Sequence, residues 1–195
     1  MLPIEKRIHS KKDLKEFLKA DLQHLKISKI IYWLQCNEGA IIKRHQILLR
    51  KTEYYLNTNR RIRATLYKFM LLKFQNKYCL HIGLNCCGKG LRLMHVGPIL
   101  MNGNVTIGEN CKLHFNTAFV AGGTNNGAPT LGDYVVVGVG ATVLVDITIA
   151  DNVAIGAGAV VNKDVLEPGI TVGGVPARKI SNNGSGNWGD GARKV

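Results

Sequence analysis

Glycine is almost missing from the first 80 residues of this 195-residue chain. Gly39 stands alone there, and the other 21 glycines all follow. Acid is scarce in the same stretch: six Asp and Glu face 18 Lys and Arg, which places +12 of the formal +13 charge in residues 1–80. No run of about 18 apolar residues occurs, so no membrane-spanning helix is expected. Residues 1–20 mix Lys with Asp and Glu and hold no uninterrupted apolar stretch, so no secretory leader is expected. No CxxC pair exists. The five cysteines, Cys36, Cys79, Cys86, Cys87 and Cys111, are odd in number, which points to reduced thiols in a cytoplasmic protein and away from a disulfide framework. At 46% hydrophobic and 20% charged residues the composition is globular, and the length suits one domain with an appendage.

What the first 78 residues do have is helical spacing. Ser10 followed by Asp13 has the form of a helix N-cap with an acid in the first turn. Leu14, Phe17, Leu18, Leu22 and Leu25 then follow the helical period. Residues 27–34 continue as an apolar segment, which Asn37-Glu38-Gly39 breaks. Residues 40–56 form a second amphipathic helix through Ile41, Ile42, Ile47, Leu48 and Leu49. After the turn at Asn57-Thr58-Asn59, Ile62, Leu66, Phe69, Met70 and Leu72 mark a third helix ending near Lys77. Residues 1–78 are thus expected to be a basic helical domain. Its cations form a solvated surface or attract an anionic ligand or a membrane surface. No nucleic-acid-binding motif accompanies Arg60, Arg61 and Arg63.

From Cys79 the spacing changes. Stepping by six gives Leu131, Val137, Val143, Ile149, Ile155 and Val161, all aliphatic. Two residues before each stand Pro129, Val135, Ala141, Ile147, Val153 and Ala159. The register extends back through Met101, Ile107, Leu113 and Phe119, with Ile99, Val105, Cys111 and Thr117 two residues before them. A period of six is neither helix nor simple strand. It is the hexapeptide pattern of a parallel β-helix, in which stacked coils bury one apolar column. Residues 121–128 interrupt it, as an irregular pair of corners or as an outward loop, and the register resumes twelve residues after Phe119. Residues 79–180 are expected to be this solenoid. Residues 181–195, rich in Gly, Asn and Ser, read as a mobile tail.

The segments 90–99 (GLRLMHVGPI), 107–111 (IGENC), Gly122-Gly123-Thr124 and 173–178 (GGVPAR) together resemble the serine acetyltransferase-like branch of the hexapeptide-repeat acyltransferases, most of all its members associated with surface-polysaccharide synthesis. The resemblance implies a left-handed parallel β-helix of three hexads per coil and a homotrimer. It implies acetyl-CoA as co-substrate in a groove between neighbouring solenoids, and in some members pairing of two trimers through the N-terminal helices. It also implies direct transfer: a histidine deprotonates the acceptor hydroxyl, with no acyl-enzyme and no metal.

On this resemblance His95 matches the catalytic histidine, and an imidazole titrating near neutrality suits general base work. His114 follows nineteen residues later, about one coil of eighteen. It is expected on the same side, as part of the acceptor pocket or as a second base. Gly122 and Gly123 are candidate backbone donors to the oxyanion. Gly140, Ala141, Gly158 and Ala159 are small residues against which the pantetheine arm is expected to lie. Lys163, Arg178 and Lys179 are expected to meet the nucleotide phosphates. Departures from the serine-specific pattern are Met94 in place of an Asp before the histidine, Leu80 or His81 in place of an upstream Asp that orients it, and Ala128 in place of a His before Pro129. A backbone carbonyl is a candidate orienter for His95. These departures favour an O-acetyltransferase acting on a sugar hydroxyl in surface-polysaccharide assembly. The alternative is serine O-acetylation in cysteine biosynthesis. A zinc hydratase on the same fold needs three converging histidines, and His81, His95 and His114 are spaced by 14 and 19. A non-catalytic scaffold docking through the basic helices is the remaining class.

Overall fold

The computed structural model describes residues 1–34, 37–123 and 127–187. Cys36, Thr124 and the stretch 188–195 of the expected tail therefore lie outside the described residues. Helix α1 (Lys11–Leu22) opens with a complete capping box: Ser10 Oγ accepts from Asp13 N–H at 3.1 Å and Asp13 Oδ2 accepts from Ser10 N–H at 2.9 Å. Such a box satisfies two helix-end donors at once. Helix α2 (Lys29–Leu34) is short. Asn37, expected only to break it, also caps the next helix, α3 (Glu38–Asn57), by accepting from Ala40 N–H at 2.8 Å. Helix α4 (Arg61–Tyr78) ends on Cys79 in the left-handed conformation, φ 57°. The helix is where the spacing puts it, but the residues that mark it in sequence are not the ones it buries. Leu71 and Gln75 are buried with Ala64, Tyr67, Phe74 and Tyr78 half-buried beside them, while Ile62, Leu66, Phe69, Met70 and Leu72 face solvent.

Beyond Cys79 the chain winds as a left-handed parallel β-helix with three faces. The first face stacks Leu80–His81, Ile99–Met101, Thr117–Val120, Thr142–Leu144 and Val160–Val161; the second stacks Thr106–Ile107, Thr130–Leu131 and Thr148–Ile149. The third stacks Arg92–Leu93, Lys112–Leu113, Val136–Val137, Ala154–Ile155 and Thr171–Gly173, and closes with Arg178–Ser181 antiparallel to the last of these. Regular coils are eighteen residues: Thr130 pairs with Thr148, Val136 with Ala154 and Thr142 with Val160. One coil is longer. Thr106 pairs with Thr130 and Lys112 with Val136, twenty-four residues apart. The interruption at 121–128 therefore adds six residues to this coil, and that is why the register resumes in phase.

Every hexad aliphatic from Met101 to Val161 is buried, as are the residues two before them. Burying a Val, Leu or Ile is worth about 1.5–3 kcal/mol, so the column dominates the stability of this half. Cys111 sits in it at 0% exposure, and burial pushes its thiol up to about 12. Burial also pushes Cys86 up to about 11 and raises Cys87. These three are packing residues, held as thiols rather than thiolate nucleophiles.

A buried polar clamp fixes the helices to the first coil. Arg50 of α3 donates through Nε to Asp21 of α1 (2.8 Å) and through Nη1 to Glu53 (3.0 Å). The same guanidinium reaches the Cys87 and Gly88 carbonyls at 2.8 and 2.7 Å. Asp21 in turn accepts from Gly90 and Leu91 N–H, Glu53 from Asn85 N–H, and Gln46 donates to the Leu91 carbonyl at 2.6 Å. Burial alone would lower the pKa of Arg50, but Asp21 and Glu53 raise it above the usual value. Every charge in the cluster is paired, as burial demands.

Candidate active site

Four turns of the solenoid's third-to-first edge carry the chemistry. The chain leaves the third face after Leu93, Leu113, Val137 and Ile155 and enters the first face at Ile99, Thr117, Thr142 and Val160. The connecting turns stack on one another: Gly140 N–H donates to the Phe115 carbonyl and Gly158 N–H to the Val139 carbonyl. His95, then His114, then Gly140, then Gly158 thus follow one another along a single edge of the prism, spaced by coils of about 4.8 Å.

The two imidazoles face each other with ring centroids 6.1 Å apart, as expected from residues about one coil apart. Phe115 meets the His95 ring edge-on at 6.0 Å. Gly97 permits this packing, since a Cβ there would lie 2.9 Å from Phe115 Cβ. The His95 side chain is half exposed, 51%. Burial, and then the neighbouring His95, lower the pKa of His114, which favours its neutral form.

The group that orients His95 is Glu38, the first residue of α3, in the Asn37-Glu38-Gly39 stretch expected only as a break. Its Oε2 stands 3.2 Å from His95 Nδ1, and its Oε1 accepts from Val96 N–H at 2.6 Å. A carboxylate, not a backbone carbonyl, therefore holds the ring. Leu80 is wholly buried in the column, and His81 offers no carboxylate. A carboxylate at a helix N-terminus is also favoured by the helix dipole. With Nδ1–H donated to Glu38, Nε2 keeps its lone pair for a proton. The signal available in sequence was only an N-cap Asn followed by an acid, which any helix start shows.

Along the edge, Gly140 and Gly158 have positive φ, 72° and 67°, which glycine adopts without strain. A Cβ at Gly158 would meet nothing within 4 Å, so this stretch of the edge lies open. Ala141 and Ala159 do not line it: both side chains are inward at 0% exposure, and only their backbones border the edge. A hollow of about 350 Å³ runs beside the edge on the first face, lined by His81, Leu100, Asn116, Thr117, Gly140 and Thr142 among others. A second of about 460 Å³ at the end of the solenoid brings Lys163, Arg178 and Lys179 together. Asp164 and Glu167 line it too, and Lys179 pairs with Glu167 at 2.5 Å, so part of its positive charge is offset. Gly122 and Gly123 lie elsewhere, on the first-to-second edge beyond the strand Thr117–Val120. Four strand residues at about 3.3 Å each put them roughly 13 Å from the histidines within one chain. Thr124 beside them is outside the described residues. Among the described residues no three His, Cys, Asp or Glu side chains converge to hold a metal ion.

A left-handed hexapeptide solenoid with a carboxylate-held histidine at the head of an open glycine edge is the build of the hexapeptide-repeat acyltransferases. Comparison with solved structures narrows the class. The chain is similar to soybean serine acetyltransferase (26% identity, TM-score 0.67, covering 87% of this chain and 69% of that one). It is similar to the Neisseria gonorrhoeae serine acetyltransferase (28%, 0.63, 87% and 66%). It has the fold of the Brucella abortus serine acetyltransferase solved in complex with coenzyme A (22%, 0.62, 88% and 67%). The chain spans about two thirds of the length of these enzymes. No family model and no curated protein matches the sequence. In fold and in sequence the chain is thus similar to the serine acetyltransferases among the hexapeptide-repeat acyltransferases.

Proposed function

We propose that this protein is an acetyl-CoA-dependent O-acetyltransferase that passes acetyl directly to a hydroxyl. The observation that carries the reading is the edge itself, with a Glu38-held His95 facing His114 at its head. The residues present fit acetyl-CoA: the open backbone at Gly140 and Gly158 accepts a narrow arm, and Lys163 and Arg178 offer cations to its phosphates. His95 Nε2 takes the acceptor's proton as the acceptor oxygen attacks the thioester carbonyl, and the imidazolium returns it to the departing sulfur. Glu38 keeps the ring in the tautomer that can do this. His114, neutral, positions the acceptor by hydrogen bonding. The raised thiol pKa values of Cys86, Cys87 and Cys111 are in keeping with direct transfer.

L-serine is the acceptor best supported, since the similar structures are serine acetyltransferases and one, from N. gonorrhoeae, was solved with serine. A saccharide hydroxyl is the second reading. It is favoured by Met94 beside His95 and Ala128 before Pro129, where the serine-specific pattern has charged or ionisable groups. A homotrimer supplies the missing wall: the Gly122–Gly123 edge of one chain would border the histidine edge of the next.

Thiol release from acetyl-CoA, followed with L-serine and with a panel of glycans, tests both readings. His95→Ala is expected to lower kcat by ~10²–10⁴, and unchanged turnover would remove His95 from the mechanism. Rapid O-acetylserine formation supports the first acceptor; turnover confined to glycans supports the second.

A further inference from the structure

Helix α4 is apolar on both faces. One face packs Tyr67, Leu71 and Phe74 against the rest of the protein. The other shows Ile62, 88% exposed, with Leu66, Phe69 and Leu72 following at helical spacing. Exposed apolar surface of this extent on one element marks an interaction site. It continues onto α2, where Ile30 and Trp33 are exposed, Trp33 at 81%. A groove of about 480 Å³ lined by Trp33, Ile47, Tyr67 and Met70 joins the two helices.

The charge around this face has one sign. Arg60, Arg61, Arg63, Lys68, Lys73 and Lys77 interleave with the apolar residues, and α4 contains no Asp or Glu. The cations are ordered beside aromatic rings, Lys73 over Phe69 at 4.6 Å and Lys77 over Tyr78 at 5.1 Å. Two copies meeting through this face would oppose six cations with six cations and no acid of α4 between them. A sheet of phosphates meets the same six favourably. No described helix is long and apolar enough to cross a membrane. An exposed apolar stripe bordered by cations is the pattern of a helix lying in the plane of a bilayer surface. We propose that the outer face of α4, with the tip of α2, docks this protein on an anionic lipid bilayer, Phe69, Leu66 and Trp33 entering the headgroup region and the cations meeting phosphates.

Co-sedimentation of the full chain with phosphatidylcholine vesicles, with and without one-third phosphatidylglycerol, tests this. Each cation near an anionic surface is worth about a fivefold gain in partition. The anionic vesicles should therefore bind at least about tenfold more tightly than the neutral ones, and the gain should fall between about 0.1 M and about 0.5 M salt as charges are screened. Leu66→Ser with Phe69→Ser should lose about tenfold with circular dichroism and Tm unchanged, since both side chains are exposed. Ile4→Ser, an exposed apolar residue on the N-terminal turn, should change nothing. Equal binding to both vesicles, or none, overturns the proposal. So does a double variant that keeps full vesicle binding but falls to a smaller oligomer in the ultracentrifuge, which would make the face a contact between copies.

Discussion

Glu38 and His95 stand 57 positions apart in sequence and 3.2 Å apart in space. The distance between them along the chain is bridged by α3, which runs from Glu38 at the site to Arg50 and Glu53 in the clamp. Glu38 acts through His95 and through the Val96 N–H, so it is a positioning residue. Glu38→Gln keeps the shape and a hydrogen-bonding oxygen but lets the amide flip and removes the charge that fixes the tautomer. It is expected to lower kcat about tenfold or more, a part of what the general base supplies, with KM for acetyl-CoA little changed. Glu38→Asp should restore part of the loss. Steady-state kinetics of the two variants check this, and a rise in KM at constant kcat would assign Glu38 to binding instead.

The elements of this protein are held in register by Asp21, Arg50 and Glu53, each at 0–1% exposure. α1, α3 and the first coil all depend on this one guanidinium and its partners. Asp21→Asn leaves Arg50 buried with one carboxylate fewer and weakens acceptance from Gly90 and Leu91 N–H. Breaking a buried pair by removing one partner costs about 3–5 kcal/mol, and a loss of that size is expected in urea unfolding. A loss below about 1 kcal/mol would mean that the helices and the solenoid are held by apolar contact alone. Helix α4 shows the limit of periodicity at this scale. Apolar residues recur at helical spacing on both its faces, so spacing identifies the helix but not which face packs.

At the scale of the molecule, the proposed reading leaves the site of one chain incomplete. Its histidine edge and its Gly122–Gly123 turn lie on different edges of the prism. In the proposed trimer, mixing His95→Ala chains with Gly123→Pro chains, which lack the donor N–H, should restore activity, because some interfaces then pair an intact histidine edge with an intact glycine turn. The mixed sample is expected to show about a quarter of wild-type kcat by random assortment, while either variant alone shows little. A mixed sample no more active than the mean of the two variants would place the whole site within a single chain. The fold itself was readable because a solenoid repeats one decision, an inward aliphatic every six residues, and twelve-residue phase across 121–128 survived the loop. The same repeat hid the added hexad, since an extra hexad and a regular one count alike.

The sequence by itself determined the apolar column of period six and the helical start, because each follows from local spacing, while three hexads per coil, and with it the stacking of His95 near His114, was what the family resemblance implied. Only the tertiary structure decided that Glu38 holds His95, that Ala141 and Ala159 turn inward, and that Gly122–Gly123 stand on another edge. Those outcomes depend on how α3 is clamped to the first coil and on where each turn falls around the prism, which are long-range contacts that no period in the chain records.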